Sequence, residues 1–230
     1  MHMWGAAGSH GAKERGGRRS VQAIALAVLA LCAASGTLAA TALPPAKGRL
    51  LIADRGLSDA NFAQTVVLLL EYSPERAIGL IVNRPAGITP GTLLPEMSAL
   101  AQYQGPVYLG GPVGIEMLVL LVRGCESLDD TEPLFDDVCY SGSPEVLDHL
   151  AHEGATPSRL RLYVGYAGWD AGQLEIEIAR GDWHVIEARD ERVFSEEPRA
   201  LWEHLVPAPQ PLETLAPAPA GASRTALAAP

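Results

Sequence analysis

The stretch GYAGWDAGQLE, from Gly165 to Glu175, is the part of this chain from which the rest can be read. It sets one large aromatic residue, Trp169, among small neighbours and follows it with a polar, Gly-flanked turn. Small residues let backbones approach one another and leave room for a single bulky side chain. The pattern specifies a shape and carries no reactive group. Upstream, Leu160 to Val164 is a short apolar run that reads as a strand leading into the tract. Downstream, Gln173 to Ile178 alternates apolar and acidic residues, which by period alone argues a strand. Asp170 as an N-cap, Gln173 three residues on and Gly181 at the end argue instead for one short helix, and a helix is the reading adopted.

Outward from this tract the chain breaks into short elements. Leu50 to Ala53, Thr65 to Leu70 and Ala77 to Val82 are apolar, β-branched runs of the kind buried in a sheet. Ser73-Pro74-Glu75-Arg76 between the last two is a turn, so they pair as an antiparallel hairpin. Gly87 to Gly91, beside Pro85 and Pro90, reads as loop. Leu118 to Val122 and Val138 to Tyr140 read as a strand and its return, with Glu126 to Asp137 as the loop between them. Ser143-Pro144 opens the clearest helix, with Val146, Leu147, Leu150 and Ala151 on one face and Gly154 just past its end. Trp183 to Ile186 returns as a strand, and Pro198 to Leu205 forms a last helix with Leu201, Trp202 and Leu205 inward.

Three separated segments, NFAQTVVLLLEYSPERAIGLIVNRP (Asn61 to Pro85), VYLGGPV (Val107 to Val113) and GYAGWDAGQLE, resemble the YqgE/AlgH family. The similarity runs from about Gly48 to about Leu205. Asp54-Arg55-Gly56 departs from the Pro-containing turn usual in that family, and Ile115-Glu116-Met117-Leu118 departs from the usual continuation after Gly-Gly-Pro. The resemblance implies a single α+β domain whose mixed, mostly antiparallel sheet forms a partly closed barrel flanked by helices. It implies no settled activity, although the family's name is attached to transcriptional regulation.

Residues 1–42 read as a leader. Lys13, Arg15, Arg18 and Arg19 form a basic n-region, residues 21–34 an apolar h-region, and Ala40-Thr41-Ala42 a small-residue cleavage site. Export to the periplasm or cell envelope is the first reading, retention as a membrane anchor by residues 21–42 the second, and an N-terminal extension on a cytosolic protein the third. Residues 43–206 are one domain with chain enough for a core. Residues 207–230, rich in Pro and Ala, are read as a disordered tail. The chain carries 17 Lys plus Arg against 27 Asp plus Glu, a formal charge of −10. Four of those cations lie in the leader, so the body is more acidic still and a DNA backbone would repel it. A hairpin would bring Cys125 and Cys139 together for an oxidising compartment to join, and the alternative reading is two ordinary buried thiols.

Several residue groups are candidates for chemistry, each with a bland counterpart. Asn83-Arg84-Pro85, at the end of a buried strand, suits an anionic ligand or a strand-ending turn. Gly110-Gly111-Pro112 suits a phosphate cradle or, more simply, a tight turn or bulge, and it matches neither a Walker loop nor a dinucleotide fingerprint. Tyr166, Trp169 and Gln173 would line a pocket for a flat or apolar ligand or plug the core at a helix entry. His149 and His152 beside Asp148 and Glu153 have a metal-sharing spacing without a third ligand, and the acidic residues from Asp129 to Asp137 lack calcium-loop spacing. No cofactor motif and no G-x-S-x-G are present.

The expected function is therefore a non-enzymatic ligand- or protein-binding or regulatory module, its ligand a small molecule or a protein. One alternative is thiol-redox or other enzyme chemistry through Cys125 and Cys139. Another is transcriptional regulation, for which the acidic body offers no reading helix.

Overall fold

Through the centre of the molecule runs β8 (Leu160–Asp170), eleven residues long, which takes in the first half of the Gly165 to Glu175 tract. The computed structural model describes residues 43–208. The first half of β8 pairs in parallel with β4 (Val107–Leu109) and antiparallel with β5 (Val113–Arg123), and its second half pairs antiparallel with β3 (Arg76–Ile81). Beyond β3 lie β2 (Val66–Tyr72), β1 (Arg49–Ala53) and β9 (Trp183–Glu187), while β7 (Val138–Ser141) and β6 (Glu132–Phe135) lie beyond β5. The path is β6-β7-β5-β8-β3-β2-β1-β9, and β4 pairs in parallel with β8 off this path.

The sheet curls on itself as a half-barrel, the α+β architecture that the resemblance implies. Its far arms approach where Gly48, just before β1, meets β6: a Cβ there would sit 2.7 Å from the Leu134 carbonyl oxygen. Lys47 lies 4.0 Å from Glu132 and 5.6 Å from the Tyr140 ring at the same seam.

Side chains alternate across a strand, so β8 serves two cores. Leu160 and Leu162 join Leu120 and Val122 beneath the helices that follow α1 (Pro90–Leu93), chiefly α2 (Pro144–His152) through Val146, Leu147 and Leu150. Tyr163 faces the other way, into the barrel core of β1, β2 and β3 with Trp169 and Trp183. Helix α2 forms where the sequence places it: Ser143 Oγ accepts the Val146 N–H at 3.3 Å, and Pro144 sits in the first turn. The chain then closes with α3 (Gln173–Arg180), α4 (Asp190–Val193), a 3-10 turn at Pro198–Ala200 and α5 (Leu201–Leu205).

Four local expectations are corrected. Glu126 to Asp137 is not all loop, because residues 132–135 pair with β7 as the outermost strand, a position that tolerates Pro133. Pro90 and Gly91 belong to α1 rather than a loop. The strand expected over Leu160 to Val164 runs on to Asp170, and the turn after Trp169 is confined to Ala171-Gly172. Asp170 is also not the cap of α3: Gly172, at φ 73, holds that position, while the Asp170 N–H donates to Gln173 Oε1 at 3.1 Å. Residues 1–42, to which the leader reading applies, and residues 209–230 lie outside the described residues. Among the described residues no helix is long and apolar enough to cross a membrane.

Candidate functional site

Trp169 stands on β8 opposite Ala77, and Trp183 on β9 opposite Ala53. The small partners let both indoles turn inward, where they meet edge to face with centroids 6.0 Å apart. Phe62 completes the cluster, 5.9 Å from Trp169 and 5.7 Å from Trp183. Both indole N–H groups donate to Glu177 Oε2 on α3, each at 2.9 Å, and Gln173 Nε2 donates to Glu177 Oε1 at 2.9 Å. Trp169 and Gln173 thus spend their polar atoms on the fold, in a knot that docks α3. Tyr166, half-buried, lies opposite Val113 at the start of β5.

The two glycine motifs meet at one crossing. Gly165 has φ +69, and a Cβ on it would lie 2.6 Å from the Gly111 carbonyl oxygen. A Cβ on Gly110 would lie 2.3 Å from the Gly165 oxygen, and one on Gly111 would strike the Tyr166 peptide. The Gly110 N–H donates to Val164 O and its carbonyl accepts from Ile81 N, both at 2.8 Å. Asn83 is likewise engaged: Oδ1 accepts from Val66 N at 2.9 Å and Nδ2 donates to Gln64 O at 3.0 Å. Arg84 donates to the carbonyls of Asn61 and Ala63, and its partial burial lowers its pKa. Trp169, Gln173, Asn83 and Arg84 therefore sit in structural contacts. The structure does not gather the candidate residues around one cavity.

Cys125 and Cys139, both buried, are joined as a disulfide with Cα atoms 6.2 Å apart, tying the end of β5 to β7. No group of three or more metal-binding side chains occurs among the described residues. An acid–base pair is formed by Asp54 and His184, whose Oδ2 and Nε2 lie 2.9 Å apart. The Gly56 N–H, and after it His184, hold the Asp54 carboxyl below the usual carboxylate range.

A roomy concavity lies elsewhere. A cleft of about 1040 Å³ opens between the ends of β4, β5 and β8 and the segment from Glu191 to Ala200. Arg161 lines it from β8, Arg123 from β5, Tyr108 from β4 and Phe194 from the end of α4. Arg161 is 4 % exposed, and its guanidinium lies 5.0 Å from the Tyr108 ring and 5.4 Å from the Phe194 ring. Its terminal nitrogens donate to the carbonyls of Val193 at 2.9 Å and Ser195 at 2.6 Å, while Nε has no partner. Arg123 stacks on the same ring at 4.6 Å and pairs with Asp190 at 3.2 Å, and its Nε is also unpartnered. Arg199 donates to Pro85 O across the mouth. Three arginines thus hang the segment 190–200 on the sheet.

Arg161 carries no carboxylate partner among the described residues, although burial of an unpaired charge is costly. Its aromatic neighbours do not supply the missing charge. Burial pushes the hydroxyls of Tyr108, Tyr103 and Tyr163 upward in pKa, so they stay neutral, with Arg161 opposing the shift. Apart from Pro85, the cleft is not legible in the sequence, because it is assembled from five distant segments. One local signal existed: a lone cation at Arg161 inside the apolar run Leu160 to Val164.

An AlgH-like family model matches residues 50–209. A UPF0301 protein of Methylococcus capsulatus is 39 % identical over 159 residues, covering 68 % of this chain and 87 % of that one. One from Chlorobaculum parvum is 34 % identical over 160 residues, covering 69 % and 84 %. Among solved structures, that of the AlgH protein from Pseudomonas aeruginosa is similar with a TM-score of 0.59 at 29 % identity, covering 70 % of this chain and 88 % of that one. A crystal structure of a protein from Corynebacterium diphtheriae matches with a TM-score of 0.60 at 24 % identity, over 71 % and 86 %, and speaks to the fold alone.

Proposed function

This chain belongs to the AlgH-like family, and on that premise we propose that it is a binding or regulatory module that takes its ligand in the Arg161 cleft. The observation that carries this reading is a buried, stacked guanidinium on the floor of a roomy concavity. Ligand pockets typically pair apolar and aromatic walls with a small number of placed polar groups. The tract around Trp169, the first candidate on sequence grounds, supports the reading indirectly by fixing the second half of β8.

The test is a thermal-shift screen of the full chain against neutral, cationic and anionic metabolites, beside a Ser158→Trp variant that fills the cleft. A ligand at a hundred times its Kd adds about 2.7 kcal/mol to stability. The parent should gain this and the variant should not. A panel that shifts neither protein, or both alike, removes the cleft as the binding site.

We infer further that the leader exports the protein, a reading supported by the disulfide, since such bonds persist in oxidising compartments. Intact mass of the protein from its own cells checks both together, by a shortened N-terminus and a mass two hydrogens lighter than the dithiol. A full-length, reduced protein would refute export.

A further inference from the structure

We propose that the ligand of the cleft is a singly charged oxyanion on a flat apolar body, such as an aromatic carboxylate, held by Arg161 between the faces of Tyr108 and Phe194. This rests on the cleft being the binding site and adds the chemistry of what enters it.

The argument begins with charge. Arg123 is neutralised by Asp190, whereas Arg161 is 4 % exposed and meets neutral groups, the carbonyls of Val193 and Ser195 and the Tyr163 hydroxyl. Neutral acceptors satisfy N–H groups but leave the cation uncompensated. A carboxylate does both, and its charge-assisted bonds are about twice as strong as those to a neutral acceptor. The Val193 and Ser195 carbonyls therefore hold a place that an oxyanion takes with advantage. The guanidinium has five N–H donors in a planar fork, and with Nε buried and the Tyr163 hydroxyl beside the guanidinium, the edge of the two terminal nitrogens is the one that offers a bidentate pair.

Shape and rim set the remaining limits. Tyr108 and Phe194 flank the guanidinium, and Pro85, Pro106, Pro157 and Pro198 contribute apolar rings to the walls. Such walls suit a flat body better than a hydrated one. Glu191, Glu196 and Glu197 line the same cleft. They repel multiply charged anions, and Arg199, the other lining cation without a carboxylate partner, is exposed at the mouth, so the buried Arg161 selects one negative charge.

Titration calorimetry of the full chain with four probes tests this: benzoate, its neutral counterpart benzamide, phenyl phosphate and inorganic phosphate. Benzoate should bind roughly ten- to a hundredfold more tightly than benzamide, the range spanned by one hydrogen-bonded charge. Phenyl phosphate should bind more weakly than benzoate, and inorganic phosphate more weakly than either. Amide shifts in the NMR spectrum should centre on Tyr108, Phe194 and Ser195. Arg161→Lys keeps the charge but loses the fork, and should cost benzoate about tenfold. Should that variant fail to fold, Glu196→Gln with Glu197→Gln should raise phenyl phosphate affinity more than benzoate affinity. Equal binding of benzoate and benzamide overturns the oxyanion and leaves the cleft reading standing. Tighter binding of phenyl phosphate overturns the single charge. Binding of no probe, with a neutral or cationic compound shifting the parent in the thermal screen, also overturns the oxyanion, whereas silence in both experiments removes the cleft as well.

Discussion

A single carboxylate, Glu177, accepts from both buried indoles, and removing it leaves two donors without acceptors. Hydrogen bonds to charged groups contribute about 1.5–3 kcal/mol each, so Glu177→Ala should cost roughly 2–5 kcal/mol in urea unfolding. Glu177→Gln retains one oxygen and should cost less. The glycine crossing gives a sharper contrast. Gly165→Ala combines a left-handed backbone penalty of about 1–2 kcal/mol with overpacking of about 1–3 kcal/mol against Gly111. Gly154→Ala has the same sign of φ, +70, and nothing within 4 Å, so it should show the backbone penalty alone. Equal losses in the two variants would dismiss the crossing as a packing contact. The sequence displayed both glycine motifs but not that they touch, since residues 110 and 165 share no local period.

At the scale of elements, the disulfide encloses β6 and the turn into β7. With a sequence separation of 14, its loss should cost about 3 kcal/mol, read as the difference between unfolding with and without reductant. Hydrogen exchange should then rise first in β6, the outermost strand. Elements differed in how plainly the chain announced them. Helix α2 was readable because Ser143, Pro144 and the apolar stripe act within a dozen residues. β6 was not, because Glu132-Pro133 looks like acidic loop and becomes strand only through β7 and the Gly48 seam. The helix from Gln173 was readable through Gly181, yet its start was misplaced by two residues, since a glycine at φ 73 can cap without a side chain.

For the molecule as a whole, Asp54 links acid stability to architecture, because it joins the end of β1 to His184 on β9. Its folded pKa is depressed, so its contribution is present above the unfolded value and is lost as pH falls through the folded one. Asp54→Asn should therefore lower stability at pH 7 and converge with the parent in strong acid. Denaturant midpoints measured from pH 7 down to about 2 check this, and a constant difference would contradict it. The neighbouring Arg55 pairs with Glu203 at 2.9 Å and stacks on Trp202, so the Asp54-Arg55-Gly56 turn anchors α5.

The shared strand β8 also has a kinetic meaning. Its partners lie at residues 76–79, 107–109 and 113–122, so neither side of the half-barrel closes until residue 170 is available. Contacts so remote in the chain make for slow folding, on the millisecond-to-second scale. A ribosome partway through synthesis holds β1 to β7 with their apolar rows waiting, and chaperone occupancy should fall only after β8 emerges.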